Sequence, residues 1–137
     1  MPLRAEIRYP RIDIDRSVDE IHRVMSELVV EACKTWVIST TDFVPVLTGA
    51  SKASFLKLAF HARTTLSITP RIKSRIPLGI ETSEGEIFAE KGISYGWRWS
   101  SGLDYIQIVD RHNAFLAAGE RSLQHVSPVL PQPVIKR

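Results

Sequence analysis

The sequence predicts a single α+β domain, in which a long N-terminal helix and a shorter C-terminal helix pack on a mostly antiparallel sheet of about four strands with an extended hairpin. Three observations predict this class. A long segment with helical periodicity comes first, short segments with strand periodicity follow it, and a second helical pattern closes the domain. Helices that are separated along the chain from a run of strands are typical of α+β folds.

Length and composition are those of an ordinary globular domain. The chain has 137 residues, 44% hydrophobic and 24% charged, with a net charge of +3. The single cysteine, Cys33, excludes an internal disulfide, and its place on the apolar side of a helix indicates a small buried hydrophobe. We find neither a signal peptide nor an apolar run long enough to cross a membrane, and therefore expect an intracellular protein with no membrane partner.

The chain divides into three parts. Residues 1–16 alternate charged and apolar side chains, which suits a short strand or an extended arm, either packed at an edge or reaching a neighbouring subunit. Residues 17–126 form the α+β domain. Residues 127–137 contain three prolines in six residues, so this tail must be extended, either docked on a neighbour or disordered.

The first helix begins at a capping box, Ser17-Val18-Asp19-Glu20, and shows apolar residues every three or four positions as far as Trp36. Residues 42–45 end it. A connector follows, in which Pro45 is rigid and Gly49 permits a positive φ. Because apolar residues alternate from position 54 to position 68, we expect a strand there and interpret the connector as a hinge between helix and sheet.

Two runs of opposite charge come next. The basic run, which we define as Arg71, Lys73 and Arg75, would share one face of a strand. Four glutamates follow at positions 81–90, with a turn expected at 83–85. The basic run is either a solvated edge that prevents strand pairing, or part of a hairpin that faces DNA or an acidic neighbour. The two runs would pair across a hairpin or between subunits.

The C-terminal part predicts two strands and a helix. We expect strands at residues 93–99 and 103–109, and a last helix that is capped by residues 110–113. The buried side of this helix would contain Phe115, Leu116, Ala118 and Leu123. Trp97 and Trp99 fall on one face of their strand, where they either belong to the core or anchor an interface.

The connector also carries an ordered motif, Pro45-Val46-x-Thr48-Gly49-x-x-Lys52-x-Ser54, directly after the N-terminal helix. Further along, Tyr95 opens a late strand, Gly102 closes it, and Phe115-Leu116 begins the C-terminal helix. In this order the motifs resemble those of the tail-completion or neck proteins of tailed phages, the lambda minor tail protein Z-like group. The resemblance covers roughly residues 17–126.

The resemblance implies a structural virion protein at the head–tail joint, assembled in the host cytoplasm. It implies a homo-oligomeric ring with sixfold symmetry that contacts the portal-side adaptor or stopper and the tail terminator or tail tube. Genomic DNA would pass through the channel without being read. The candidates for interface or channel positions are Arg71, Lys73, Arg75, Trp97 and Trp99. One departure lies before Gly102, where typical members carry an acidic residue and this chain has serines, so the function of that carboxylate is not transferred.

A second hypothesis is a small basic nucleic-acid-binding α+β domain. In it the basic run contacts phosphates, and bases stack on an aromatic strand face. The residues of that face are Tyr95, Trp97 and Trp99.

An enzyme is the third and weakest hypothesis. The sequence contains no Gly-rich phosphate loop, no GxSxG and no HExxH, and its four histidines lack metal-ligand spacing. Ser54 and Lys57 match the Ser-x-x-Lys pattern of serine acyl-transfer enzymes, but that mechanism needs a helix. We expect a strand, on which positions three apart face opposite ways. We therefore expect no catalytic activity, no cofactor and no metal.

Overall fold

The structure is a computed structural model that describes residues 2–10, 18–46, 49–68, 77–91, 93–126 and 132–137. In chain order its elements are β1 (Leu3–Tyr9), α1 (Val18–Thr41), α2 (Ala50–Ala53), α3 (Leu56–His61), α4 (Pro77–Glu81), β2 (Ser83–Glu90), β3 (Ser94–Ser101), α5 (Ile106–Asn113), α6 (Phe115–Leu123) and β4 (Val134–Lys136). This is the predicted α+β class, with the long first helix, the C-terminal helix and the β2–β3 hairpin.

The sheet has four antiparallel strands in the order β2-β3-β1-β4. β1 is an interior strand, which pairs with β3 over its full length and with β4 over three residues. Residues Leu3–Tyr9 of the N-terminal segment form this interior strand, so they are neither an edge strand nor a free arm. Residues 11–16 lie outside the described part of the chain.

Helix α1 covers one face of the sheet, here called the inner face. It ends at Thr41, as predicted, and buries Met25, Val29, Ala32, Cys33, Trp36 and Val37 along one side. The prediction that Cys33 is a buried hydrophobe is confirmed, and burial raises the pKa of its thiol. Ser17 of the predicted capping box lies outside the described residues.

Aromatic rings from separate segments meet between α1 and the sheet. Phe55 and Trp99 stack with their ring centroids 4.3 Å apart, and Phe115 stands edge-on to Phe55 at 5.8 Å. Trp36 of α1 approaches Phe55, Trp97 and Trp99 at 6.1 to 6.4 Å. Pairs of this geometry contribute about 0.5–1.5 kcal/mol each beyond the area that they bury. The cluster joins the connector, the hairpin, α1 and α6.

The strand expected at residues 54–68 is wrong. The chain forms α2 and α3 there, followed by irregular backbone. The apolar residues fit two periods: Leu56, Leu58, Phe60 and Ala62 alternate, whereas Phe55, Leu58, Ala59 and Ala62 recur at helical spacing. The helical set is buried, and Phe60 is 79% exposed. A short apolar run does not distinguish the two periods, and burial against β2 and the aromatic cluster decided between them.

The strand expected at residues 103–109 is also wrong, because α5 begins at Ile106 and continues to Asn113. On a strand, residues two positions apart share a face, so Ile106 and Ile108 would be buried together. In the structure Ile106 is fully buried and Ile108 is 53% exposed. Residues 110–113 therefore end α5 instead of preceding the last helix. The N-cap of α6 is Ala114, which makes no side-chain capping bond. Of the expected capping residues, Asp110 contacts α6 from within α5, since its Oδ1 accepts a hydrogen bond from the backbone N–H of Leu116 at 3.1 Å. The predicted buried side of α6 is confirmed.

The turn expected at residues 83–85 is wrong, because these residues belong to β2. The partner of the acidic run is β3, with Glu86 opposite Arg98. The predicted hairpin therefore exists as β2–β3. The basic run and its expected strand lie outside the described residues.

Helix α6 packs closely on α1 at Gly119. A Cβ atom at this position would lie 2.2 Å from Thr40 Oγ1 and 2.7 Å from Trp36 Nε1. Both atoms are buried, and neither has a hydrogen-bond partner in the described structure. A hydrogen is therefore the largest substituent that fits between the two helices here.

We predict that Gly119→Ala lowers the free energy of unfolding by about 1–3 kcal/mol, because the added methyl group overpacks the α1–α6 contact. Chemical denaturation followed by circular dichroism measures this. Gly102→Ala is the comparison variant and should destabilise the fold less, since a Cβ there would lie 3.3 Å from its nearest neighbour, the Thr82 carbonyl oxygen, a tight contact but a much longer one than at Gly119. Helix propensity alone would make Gly119→Ala stabilising by about 1 kcal/mol, and that result would contradict the close contact.

Candidate assembly surfaces

The connector anchors the core to the hairpin. Gly49 adopts a φ of 85° immediately before α2, so the predicted positive φ is confirmed. Ser54 is fully buried, and its Oγ donates a hydrogen bond to the Ser51 carbonyl at 2.6 Å. The carbonyl of Ser54 accepts a hydrogen bond from Trp99 Nε1 at 3.0 Å. The end of the motif therefore contacts β3 through two groups: the Ser54 carbonyl accepts a hydrogen bond from Trp99, and the Phe55 ring stacks on the same indole.

The other motif residues are distributed through the fold. Tyr95 is buried at the start of β3 with its hydroxyl 3.1 Å from His22 Nδ1, and Gly102 follows the other end of the same strand. Phe115 and Leu116 are buried in the first turn of α6. Pro45 is exposed, Lys52 is half-buried, and Thr48 lies outside the described residues. The motif therefore specifies several separate packing positions, not one convergent site.

Trp97 and Trp99 belong to the core. Their side chains are 0% and 1% exposed, so the core alternative holds and neither ring is available to a neighbouring subunit. Tyr95 is buried as well. The aromatic face of the nucleic-acid-binding hypothesis is thus turned toward α1. Strand alternation places these three residues on one face, but periodicity does not tell which face of a sheet is covered.

The opposite face of the sheet, here called the outer face, is polar. Its side chains come from alternate positions of each strand: Arg4, Glu6 and Arg8 of β1; Glu84, Glu86, Phe88 and Glu90 of β2; Arg98 and Ser100 of β3; and Val134 and Lys136 of β4. Most are exposed or half-buried. In the described part of the chain, this surface is therefore open to a partner.

A row of alternating charge crosses the outer face. Arg98 donates to Glu86 Oε1 at 2.7 Å on one side and to Glu6 Oε2 at 3.1 Å on the other. Arg8 also pairs with Glu6, and Lys136 is the register partner of Glu6 on β4. The sequence pattern does not reveal this row, because its members face one another only once the strand register is known.

These contacts perturb two ionisable groups. The hydrogen bond from Arg8, assisted by Arg98, holds the pKa of the Glu6 carboxyl below its ordinary value, although partial burial opposes the shift. Hydrogen bonds to Glu86 and Glu6 raise the pKa of Arg98. Since solvent-exposed ion pairs contribute only about 0–1 kcal/mol each, the row sets strand register and surface pattern more than overall stability.

An aromatic ring lies on this charged surface. The guanidinium carbons of Arg8 and Arg98 lie 5.0 Å and 4.7 Å from the centroid of the Phe88 ring. The ring reaches across β3 at Gly96, where a Cβ atom would lie 2.8 Å from Phe88 Cζ. Cation–π contacts of this kind contribute about 0.5–1 kcal/mol at exposed sites. They hold an apolar group in a fixed position beside the row.

A shallow concavity of about 650 Å³ lies at one end of the outer face. Three cations and three carboxylates line it: Arg4, Lys57, Arg98, Glu6, Glu84 and Glu86. Lys57 reaches it from α3 and donates a hydrogen bond to the Ser83 carbonyl at 2.8 Å. Such a balance of signs suits a protein surface better than a phosphate backbone, which selects for cations.

The Ser-x-x-Lys pair requires a correction. Ser54 and Lys57 lie at the end of α2 and in α3, so the strand on which we dismissed them does not exist. The two side chains nevertheless donate their hydrogen bonds to different backbone carbonyls, which is not the arrangement of a nucleophile and its base. Ser54 is buried and donates to Ser51, while Lys57 donates to Ser83.

The described residues contain no group of three or more histidines, cysteines or carboxylates that could hold a metal ion. No helix among them is both long enough and apolar enough to cross a bilayer. No protein-family model, no curated protein and no solved structure matches this chain.

We predict that the contribution of Glu6 to stability depends on pH. Because its folded pKa lies below the unfolded value, the ionised carboxylate stabilises the fold above that unfolded value and loses this effect as pH falls through the folded pKa. Glu6→Gln should therefore lower Tm at about pH 7, with a deficit that shrinks toward about pH 3.

Thermal melts of both proteins across this range measure the difference. Glu84→Gln is the control, since Glu84 lies on the same face but opposite Ser100, and its effect on Tm should be small throughout. An equal deficit for Glu6→Gln at both ends of the range would contradict the proposed electrostatic origin.

Proposed function

We propose that this protein is a structural component of the neck of a tailed bacteriophage. In this proposal it is a ring-forming tail-completion protein that joins the tail to the portal-side adaptors around the DNA channel. The observation that carries the proposal is the ordered motif of residues 45–54, followed in the same order by Tyr95, Gly102 and Phe115-Leu116. These are the features that resemble the lambda minor tail protein Z-like group.

The positions of the motif residues support a structural function. Gly49 sets the turn into α2, Ser54 and Phe55 hold β3 through Trp99, and Phe115 closes the same aromatic cluster. Motif residues that are buried and make packing contacts stabilise the fold itself. A protein of this kind acts through the surfaces that the scaffold presents, as a ring subunit does.

The outer face supports contact with other proteins. It combines paired charges, a fixed aromatic ring and a shallow concavity of mixed sign. Charge patterns of this type favour one partner and one register over others, because a wrong alignment places like charges together. In the proposed ring, the outer face contacts a neighbouring subunit or an adjacent neck layer, and the basic run lines or caps the channel.

The nucleic-acid-binding hypothesis receives less support. Base stacking needs exposed aromatic rings, and Tyr95, Trp97 and Trp99 are buried. The basic run alone would supply phosphate contacts that are sensitive to salt and indifferent to sequence. DNA that only passes through a ring needs no contacts beyond these sequence-independent phosphate contacts.

We predict that phage particles lacking this protein fail at the joining step. Electron microscopy of a lysate from the phage that encodes this chain, with its gene disrupted, should show DNA-filled heads and free tails. The physical reason is that the two finished substructures would lack the surface that connects them. Supplying the intact gene from a plasmid is the control and should restore joined particles. Intact, infectious particles in the disrupted strain would rule out the neck assignment.

We predict that reversing the basic run weakens assembly without unfolding the subunit. The triple variant Arg71→Glu, Lys73→Glu and Arg75→Glu should lose oligomer in light scattering and infectivity in complementation, while its circular dichroism spectrum stays unchanged. The expected cause is lost attraction to an acidic neighbouring surface.

A matched control reverses three exposed cations elsewhere, Arg23, Arg111 and Arg121, and so changes the net charge by the same amount. This control should assemble normally. Unchanged assembly of the basic-run variant would contradict the assignment of that run to an interface. If the unmodified protein stays monomeric and binds DNA with a steep salt dependence, the nucleic-acid-binding hypothesis replaces the ring.

A further inference from the structure

The C-terminal strand β4 is held weakly by its own chain. It pairs with β1 through only three residues, whereas β1 is seven residues long. All three residues are exposed, including Val134 at 55% and Ile135 at 36%. Beyond the strand, Arg137 pairs with Glu120 of α6 on the protein surface. Because β4 buries little apolar area and its charged contacts are at the surface, its attachment to β1 is marginally stable.

The short pairing is nevertheless specific. Lys136 lies opposite Glu6, so opposite charges meet, and Ile135 lies opposite Ile7 on the inner face. Cross-strand pairs of this kind set register. The same pairs would form unchanged if β4 came from another copy of this chain, because strand exchange reproduces every contact of the closed form.

The segment before β4 suits such an exchange. Residues 127–137 include Pro128, Pro131 and Pro133, which favour an extended backbone and lower the entropy lost on docking. Seven residues, 127–133, separate Val126 from β4, and fully extended they span about 25 Å. This reach suffices for β4 to cross to the β1 edge of a second copy that packs directly against its own domain.

We propose that β4 is an exchangeable edge strand, and that in the assembled protein the free edge of β1 receives the C-terminal strand of a second copy of this chain. The proposal deepens the proposed ring and rests on the self-association of the chain. Each subunit would give one strand and receive one, so that a closed ring leaves no β1 edge uncovered. In the unassembled subunit, the strand folds back on its own β1 and protects that edge from unwanted pairing.

Cysteine cross-linking between different chains tests the exchange. Arg8 and Val134 are register partners on the outer face, so Arg8→Cys is made in one chain and Val134→Cys in another chain that carries a mass tag. The two purified proteins are mixed at concentrations where light scattering detects oligomer and are then oxidised. We expect a covalent dimer of tagged and untagged chains. The native Cys33 is buried and does not compete.

Two controls make the result specific. Arg4→Cys replaces Arg8→Cys as a register control, because it lies four residues away along β1, about 13 Å from the expected partner. It should give little mixed dimer. The double variant Arg8→Cys, Val134→Cys in one chain should form an internal bond when diluted below assembly, which verifies the register. The pair Glu6→Cys and Lys136→Cys repeats the test if the first pair fails to fold.

The outcomes separate this inference from the proposed ring. Mixed dimer with Arg8→Cys but not with Arg4→Cys supports strand exchange. Oligomer in which the double variant forms only internal bonds, with no mixed dimer, overturns the exchange and leaves the ring intact. Absence of oligomer from the unmodified chain at every concentration, and from lysates of the phage, overturns both.

Discussion

The contact between Trp99 and the connector is the interaction on which the rest of the structure depends. The Trp99 indole donates a hydrogen bond to the Ser54 carbonyl and stacks on Phe55. Trp36 and Phe115 bring α1 and α6 to the same place. Four segments that are distant in sequence thus share one buried centre. Because a buried indole N–H without an acceptor costs about 1–3 kcal/mol, the Ser54 carbonyl both satisfies Trp99 and fixes where the connector must lie.

That centre determines which surfaces remain for partners. One face of the sheet is committed to α1 and the aromatic cluster, and the outer face carries the row formed by Glu86, Arg98 and Glu6. The described sheet ends at β4, whose three exposed residues pair only with β1. A scaffold with a rigid core, a patterned face and a weak edge strand suits a subunit that performs its function by assembling. The strand-exchange proposal requires the self-association that the neck proposal supplies, whereas the ring does not require strand exchange.

The two incorrect strand predictions share one physical cause. Helix α1 was predicted correctly because its apolar stripe continues for more than five turns and ends at recognisable stop residues. Residues 54–68 and 103–109 contain short apolar runs that fit a period of two and a period near 3.6 equally well. Leu58 packs against Gly85, and Ile106 is buried in the core, and these non-local contacts selected the helix. Local propensity is a weak prior when the segment is short.

The sequence by itself determined the fold class, the extent of α1, the burial of Cys33, the buried side of α6 and the positive φ of Gly49. These properties follow from periodicity, composition and backbone sterics within a short stretch of chain. Only the tertiary structure decided that Trp97 and Trp99 face the core, that Arg98 joins Glu6 to Glu86, and that β4 closes the sheet beside β1. The reason is that each depends on strand order and register, which bring together residues as much as 130 positions apart, such as Glu6 and Lys136, and leave no local periodic signal.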